Sequence, residues 1–115
     1  MYRTISEIKA ANKAAGMFFF ERSSMRFFDS RIESKVYGGR FFITSEQFHG
    51  SDGRSAPRLY TIRECKADGD IDTVGTFQQY RHVSDARDAA RLLVAQMKTV
   101  NEVLREVLAE EGVTA

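Results

Sequence analysis

Cysteine occurs once in this chain of 115 residues, proline once, histidine twice and tryptophan not at all. A single thiol, Cys65, excludes an internal disulfide and agrees with a reducing compartment, so a cytoplasmic location is expected. One cysteine and two histidines at no recognised ligand spacing give no reason to expect a metal. One proline and eight glycines leave no low-complexity linker. No apolar run approaches the roughly 20 residues that a bilayer requires, and the N-terminus lacks the basic-then-apolar pattern of a signal peptide, so no membrane partner is expected. The phosphate-cradling patterns GxGxxG and GxxxxGK followed by Ser or Thr are missing too, and no cofactor is expected.

What is present describes a soluble globular chain, 43% hydrophobic and 29% charged. Its length fits a single domain spanning 1–115 that buries roughly two thirds of its unfolded surface. A net charge of +1 argues against a strong nonspecific grip on nucleic acid. The distribution is less even. Residues 1–66 hold twelve Lys or Arg against seven Asp or Glu, a balance of +5, whereas residues 67–115 hold five against nine, a balance of −4. The first half therefore has the material for a basic face, although a solvated mixed surface is the simpler reading.

Local signals give an α+β order. Thr4-Ile5-Ser6-Glu7 has the spacing of a capping box and predicts a helix over about 5–15, which Gly16 is placed to end. Met17–Phe20 is apolar but too short to classify, and Ser23 or Ser24 can cap a helical turn carrying Met25, Phe28 and Ile32. Gly38-Gly39 between Val36-Tyr37 and Arg40–Phe48 reads as a two-residue hairpin, since both turn positions require positive φ. A polar loop over 49–57 precedes a strand over 58–66, and the turn at Asp68-Gly69 leads into a strand over 71–80. Ser84 or Asp85 caps a last helix with no Gly or Pro before Gly112. The expected fold is thus an N-terminal helix, an antiparallel meander sheet of three to four strands, and a long C-terminal helix packed on the sheet.

Along that last helix Ala86, Ala90, Leu93, Met97, Val100, Leu104 and Val107 alternate spacings of four and three, a heptad seam. Val94, Val103 and Leu108 widen it, as a helix facing a core would. Two uses stay open: the stripe covers the sheet, or its protruding end, through Met97, Val100, Leu104 and Val107, joins a second copy.

Catalytic groups are sparse. His49, His82 and Cys65 show no spacing that pairs a nucleophile with a base, and Asp68, Asp70 and Asp72 lack the following Gly and terminal Glu of a calcium loop. No catalytic residue is assigned and a noncatalytic protein is expected. The order helix, three strands, helix is also that of double-stranded RNA-binding domains. That family carries basic residues at the start of its final helix, where here Asp85 and Asp88 offset Arg87 and Arg91. Nucleic acid stays as an alternative partner through exposed aromatics such as Phe41, Tyr60 or Phe77.

The words Met25-Arg26-Phe27-Phe28, Phe41-Phe42-Ile43-Thr44-Ser45-Glu46, Tyr60-Thr61-Ile62-Arg63 and Thr73-Val74-Gly75-Thr76-Phe77 resemble a family of small uncharacterised proteins encoded by phages, plasmids and other mobile elements. The resemblance spans about residues 17–93 and carries no catalytic assignment. It implies a small binder that occupies a surface on a host protein or ribonucleoprotein complex, in the manner of anti-CRISPR and other defence inhibitors. Arg and Tyr carry much interface energy, which nominates Arg40, Arg58, Tyr60 and Arg63 on the sheet, with Glu46 nearby, as protein-binding residues. Phe42, Thr44 and Glu46 share one strand face and Phe41, Ile43 and Ser45 the other; the sequence leaves open which is covered.

Overall fold

The computed structural model describes residues 1–110. The N-terminal signals act as expected. Helix α1 (Ile5–Ala14) opens on a complete capping box, with the Glu7 amide bonded to Thr4 Oγ1 and the Glu7 carboxylate returning to the Thr4 amide. It closes in a Schellman arrangement: Gly16, at φ +75°, donates to the Lys13 carbonyl and Met17 to that of Asn12. Helix α2 (Arg22–Phe27) is a short turn of helix with Glu21, not Ser23 or Ser24, at its N-cap and no side-chain cap bond.

The strands β1 (Arg31–Ile32), β2 (Phe41–Glu46), β3 (Leu59–Cys65) and β4 (Ile71–Val74) form one antiparallel sheet in the order β1-β2-β3-β4. The partner of β2 on its outer side differs from expectation. Arg31 and Ile32 pair with Ser45 and Thr44, while Val36-Tyr37 contributes only a bridge from Tyr37 to Phe41. The Gly38-Gly39 turn is nevertheless present, with φ of +58° and +74° and the Arg40 amide bonded to the Tyr37 carbonyl. A Cβ on Gly38 would lie 2.7 Å from Val94 Cγ2, so this turn needs glycine for the approach of the last helix as well as for its backbone. The expected strand over 71–80 breaks after Val74. Gly75 (φ +77°) and Gln78 (φ +58°) leave extended backbone, and only Tyr80 returns, bridging Tyr60.

Helix α3 (Val83–Glu110) starts one residue before Ser84, with the His82 carbonyl accepting from the Asp85 and Ala86 amides. Gly112, expected to end it, lies outside the described residues. The molecule is a three-layer α+β domain. Tyr37, Phe41, Ile43, Ile62, Ala86 and Ala90 form the core between sheet and α3. On the opposite face Phe42, Ile8 and Cys65 form a second core, closed by Phe19, Phe20, Ile32 and Ile71. Asn12 locks α1 to the turn after β3: it is buried, its amide donates to the Gly69 carbonyl and its oxygen accepts from the Phe19 amide.

The 28 residues of α3 make a rod roughly 42 Å long, more than the sheet can cover. The longest axis of the molecule is 65 Å, and the radius of gyration is 17.0 Å, against about 13 Å for a compact chain of this size. Leu93, Val94 and Met97 pack on the core, whereas Val100, Val103, Leu104 and Val107 are exposed. No helix among the described residues is long and apolar enough to cross a membrane.

Burial separates two phenylalanines that look alike in sequence. Phe42 is fully buried and Phe27 is 78% exposed. Phe42→Ala is expected to cost about 3–5 kcal/mol, and Phe27→Ala to stay within about 0.5 kcal/mol of the parent. Guanidinium denaturation of the two variants checks this, and equal costs would mean that Phe27 is packed.

Candidate functional site: a buried ion pair beneath an aromatic cavity

Strand alternation puts Phe42, Thr44 and Glu46 on the face away from α3, and the β2/β3 register sets Thr44 opposite Thr61 and Phe42 opposite Arg63. Toward α1 this face is apolar. Toward α2 it is polar and still buried. Glu46 has no exposed surface, and three donors converge on its carboxylate: the Thr44 hydroxyl at 2.6 Å and Arg63 Nη2 at 2.9 Å on one oxygen, the Thr61 hydroxyl at 2.9 Å on the other. The hydroxyls then accept in turn. Thr44 Oγ1 takes Arg63 Nε at 3.0 Å, Thr61 Oγ1 takes the Gln78 amide at 2.8 Å, and Thr73 on β4 takes Arg63 Nη1 at 2.6 Å. No buried side-chain polar atom among the described residues lacks a partner.

The interruption of β4 builds the cover. Gln78, in the left-handed region, donates its backbone amide to Thr61 and its side-chain amide to the Glu46 carbonyl. The same loop carries Phe77 over the sheet. Arg63 lies between two rings, its guanidinium carbon 5.3 Å from the Phe19 centroid and 5.5 Å from that of Phe77. Between these rings and α2 opens a cavity of about 360 Å³ lined by Phe19, Ser24, Met25, Phe28, Ser30, Arg63, Thr73 and Phe77. Outside it the aromatic surface continues: Phe28 meets Phe27 at 4.6 Å, Phe48 at 5.1 Å and Phe77 at 5.4 Å between centroids. Phe27 and Phe48 are exposed.

A second polar cluster fixes the rim. Arg58 donates to the Asp29 carbonyl and carboxylate and to Ser45, tying the end of α2 to β2. Asp29 also bonds His49 Nε2 at 3.2 Å, and His49 Nδ1 lies 2.7 Å from Ser55 Oγ. The His49 hydrogen bond, then the Arg58 charge, hold the Asp29 carboxyl below its ordinary pKa. Ser55, His49 and Asp29 have the element order of a nucleophile relay, which sequence spacing did not reveal. Their carboxylate is 41% exposed and is shared with Arg58, unlike the buried Asp of the serine-protease relay. The cluster fastens the 49–57 loop to α2.

The residues nominated from sequence separate. Glu46 and Arg63 come together, but inside, with Arg63 only 12% exposed in its side chain. Arg58 is largely buried in its bonds to Asp29 and Ser45. Tyr60 lies on the opposite sheet face, against the α3 core. Arg40 precedes β2, half-exposed and paired with Glu64 at 3.1 Å. Glu46 therefore organises the sheet and touches no partner surface, because a fully buried carboxylate has none to offer. Of the dimerisation residues, Met97 belongs to the core and Val100, Leu104 and Val107 are exposed. Cys65 is buried, which pushes its thiol upward, and the acidic turn is closed by Asp68 accepting from the Asp70 amide and by a Lys66–Asp72 ion pair. Sequence reading missed Thr44, Thr61, Thr73 and Phe19. The signal was there in part: polar residues alternating on both central strands, at 44 and 46 and at 61 and 63.

The chain belongs to the family of unknown function DUF7447, which matches residues 4–91. The match takes in both cores and the ion pair and stops within α3, before its overhang. No curated protein matches the chain. No solved structure matches it either.

Removing one charge of a buried pair strands the other. Glu46→Leu and Arg63→Met are each expected to lose about 3–5 kcal/mol, and the double variant to lose much less than the sum of the two. A double-mutant cycle in chemical denaturation measures this; additive losses would show that the two side chains are not coupled.

Proposed function

We propose that this protein is a noncatalytic binding protein of mobile-element origin that acts by occupying a surface on a host protein or ribonucleoprotein complex. The observation that carries the reading is the exposed aromatic array of Phe27 and Phe48, continuous through ring contacts with Phe28 and Phe77. Isolated exposed phenylalanines are ordinary, but contiguous ones are costly to leave in water and mark contact surfaces. Arg22, Arg26 and Arg31 are exposed on the same chain segment, so the complementary partner surface is acidic with an apolar centre. This moves the contact surface from the sheet arginines to α2 and the loop after β2.

Affinity purification from host lysate with the parent and with Phe27→Glu and Phe48→Glu tests it. One defined complex, captured by the parent and lost by both variants while their thermal stability is unchanged, is the expected result. Recovery of nothing, or equal recovery by all three, would count against the reading.

The α3 overhang supports self-association with a second copy of this chain. Its heptad spacing continues through Val100, Leu104 and Val107 after the sheet has ended, and Lys98, Glu102, Arg105 and Glu106 give its flanks charges of both signs. Sedimentation equilibrium is expected to show a concentration-dependent dimer that Leu104→Lys abolishes. A monomer mass at every concentration removes this role.

A further inference from the structure

We infer that the cavity between α2 and the sheet is a binding site for a neutral planar heteroaromatic ring, a nucleobase, with guanine preferred over adenine. Its volume of about 360 Å³ lies within the range of small-ligand pockets. Its apolar lining residues are Phe19, Phe28, Phe77 and Met25, and its polar ones are Arg63, Ser24, Ser30 and Thr73. Aromatic walls with an arginine edge are the means by which proteins hold unstacked bases.

Charge decides between ligand classes. The guanidinium is already neutralised by Glu46, which is fully buried and takes three donors. An anionic ring would leave uncompensated negative charge in a partly desolvated site, and a cation would face the guanidinium itself. A neutral ring meets neither penalty.

Hydrogen bonding narrows the class further. A guanidinium has five N–H donors, and Arg63 uses three on Thr44, Thr73 and Glu46. The two that the described residues leave belong to Nη1 and Nη2, since Nε has a single hydrogen and spends it on Thr44. The guanidinium is planar, so these donors act in its plane. One unused donor on each of two nitrogens asks for a ligand edge with more than one acceptor. Guanine offers O6 and N7 on one edge, whereas adenine sets a donor beside its N7 and would oppose one of the two. A phenol ring offers one oxygen and satisfies only half of the pair.

The site is a property of the chain alone and does not depend on which macromolecule the aromatic array contacts. Titration of the full-length protein with guanosine, adenosine and N-acetyltyrosinamide, followed by NMR shifts of the Ser24, Ser30 and Thr73 amides, tests it. Saturable shifts with guanosine, at least tenfold weaker binding of adenosine, and at least tenfold loss in Thr73→Val and Phe77→Ala are expected. Thr73 is exposed, so its variant keeps the test valid if Phe77→Ala is too unstable. A single-stranded UUUGUUU heptamer compared with UUUUUUU separates the sources. Tighter binding than guanosine, lost without the guanine, identifies a base within a strand, and guanosine alone identifies a free nucleoside. Absence of guanosine shifts, equal affinity for adenosine, preference for the tyrosine amide, or heptamer binding that ignores the guanine would each overturn the inference.

Discussion

A carboxylate and a guanidinium held out of water on one sheet face set the terms for everything around them. Desolvating two charges costs several kcal/mol each, and their attraction repays this only with good geometry and complete hydrogen bonding. Here completeness is achieved by threonines. Thr44 and Thr61 each donate to Glu46 and accept from a neighbour, so one hydroxyl serves two obligations and the pair is linked to β2, β3 and the loop after β4 together. A slip of one residue between β2 and β3 would turn either Glu46 or Arg63 toward the apolar core under α3. The pair therefore fixes register as much as it supplies stability.

The same requirement explains the irregular backbone. Water must be kept from the pair, yet no regular element crosses above it, and the cover is assembled from loops. Gln78 accepts a positive φ because its two amides are the donors that Thr61 and the Glu46 carbonyl need. Asp29 accepts another at the end of α2, where Arg58 and His49 hold its carboxylate. Gln78 supplies donors to two groups of the sheet, and Asp29 joins the loop residue His49 to Arg58 beside β3. The rings they bring along, Phe77 above Arg63 and Phe28 at the cavity wall, are the ones that form the candidate site.

Legibility in the sequence follows the range of the interaction. The capping box at Thr4, the Gly16 stop and the long last helix depend on residues a few positions apart and appear as read, while the double-glycine turn forms with only a Tyr37–Phe41 bridge in place of the expected two-residue hairpin. The break in β4 was not legible, because Ile71, Thr73, Val74, Thr76, Phe77 and Tyr80 are β-prone, whereas Gln78 outside the strand is held by a bond to Thr61, 17 positions away. The partner of β2 was misassigned for the same reason: Val36-Tyr37 adjoins the turn, but Tyr37 is claimed by the α3 core and Arg31-Ile32 takes the edge. At the site, counting Glu46 and Arg63 as surface residues failed because a charged side chain with a buried counter-charge belongs inside. The clue was one acidic residue in a strand of apolar and hydroxyl side chains.

The last helix shows how one periodic pattern serves two environments. From Ala86 to Met97 its seam has a sheet to rest on, and small residues at Ala86 and Ala90 permit close approach, as Gly38 does against Val94. Beyond Met97 the spacing continues through Val100, Leu104 and Val107, but the sheet has ended and these side chains are exposed. An isolated helical extension of about three turns is marginal in water, since nucleation is already met but no packing rewards each added residue. Keeping branched apolar residues there, in register with the seam, costs solubility unless something covers them. The boundary of the DUF7447 match falls near the same place, at Arg91. The shared fold is thus the part that closes on itself, and the exposed stretch of α3 through Val100, Val103, Leu104 and Val107 lies beyond it.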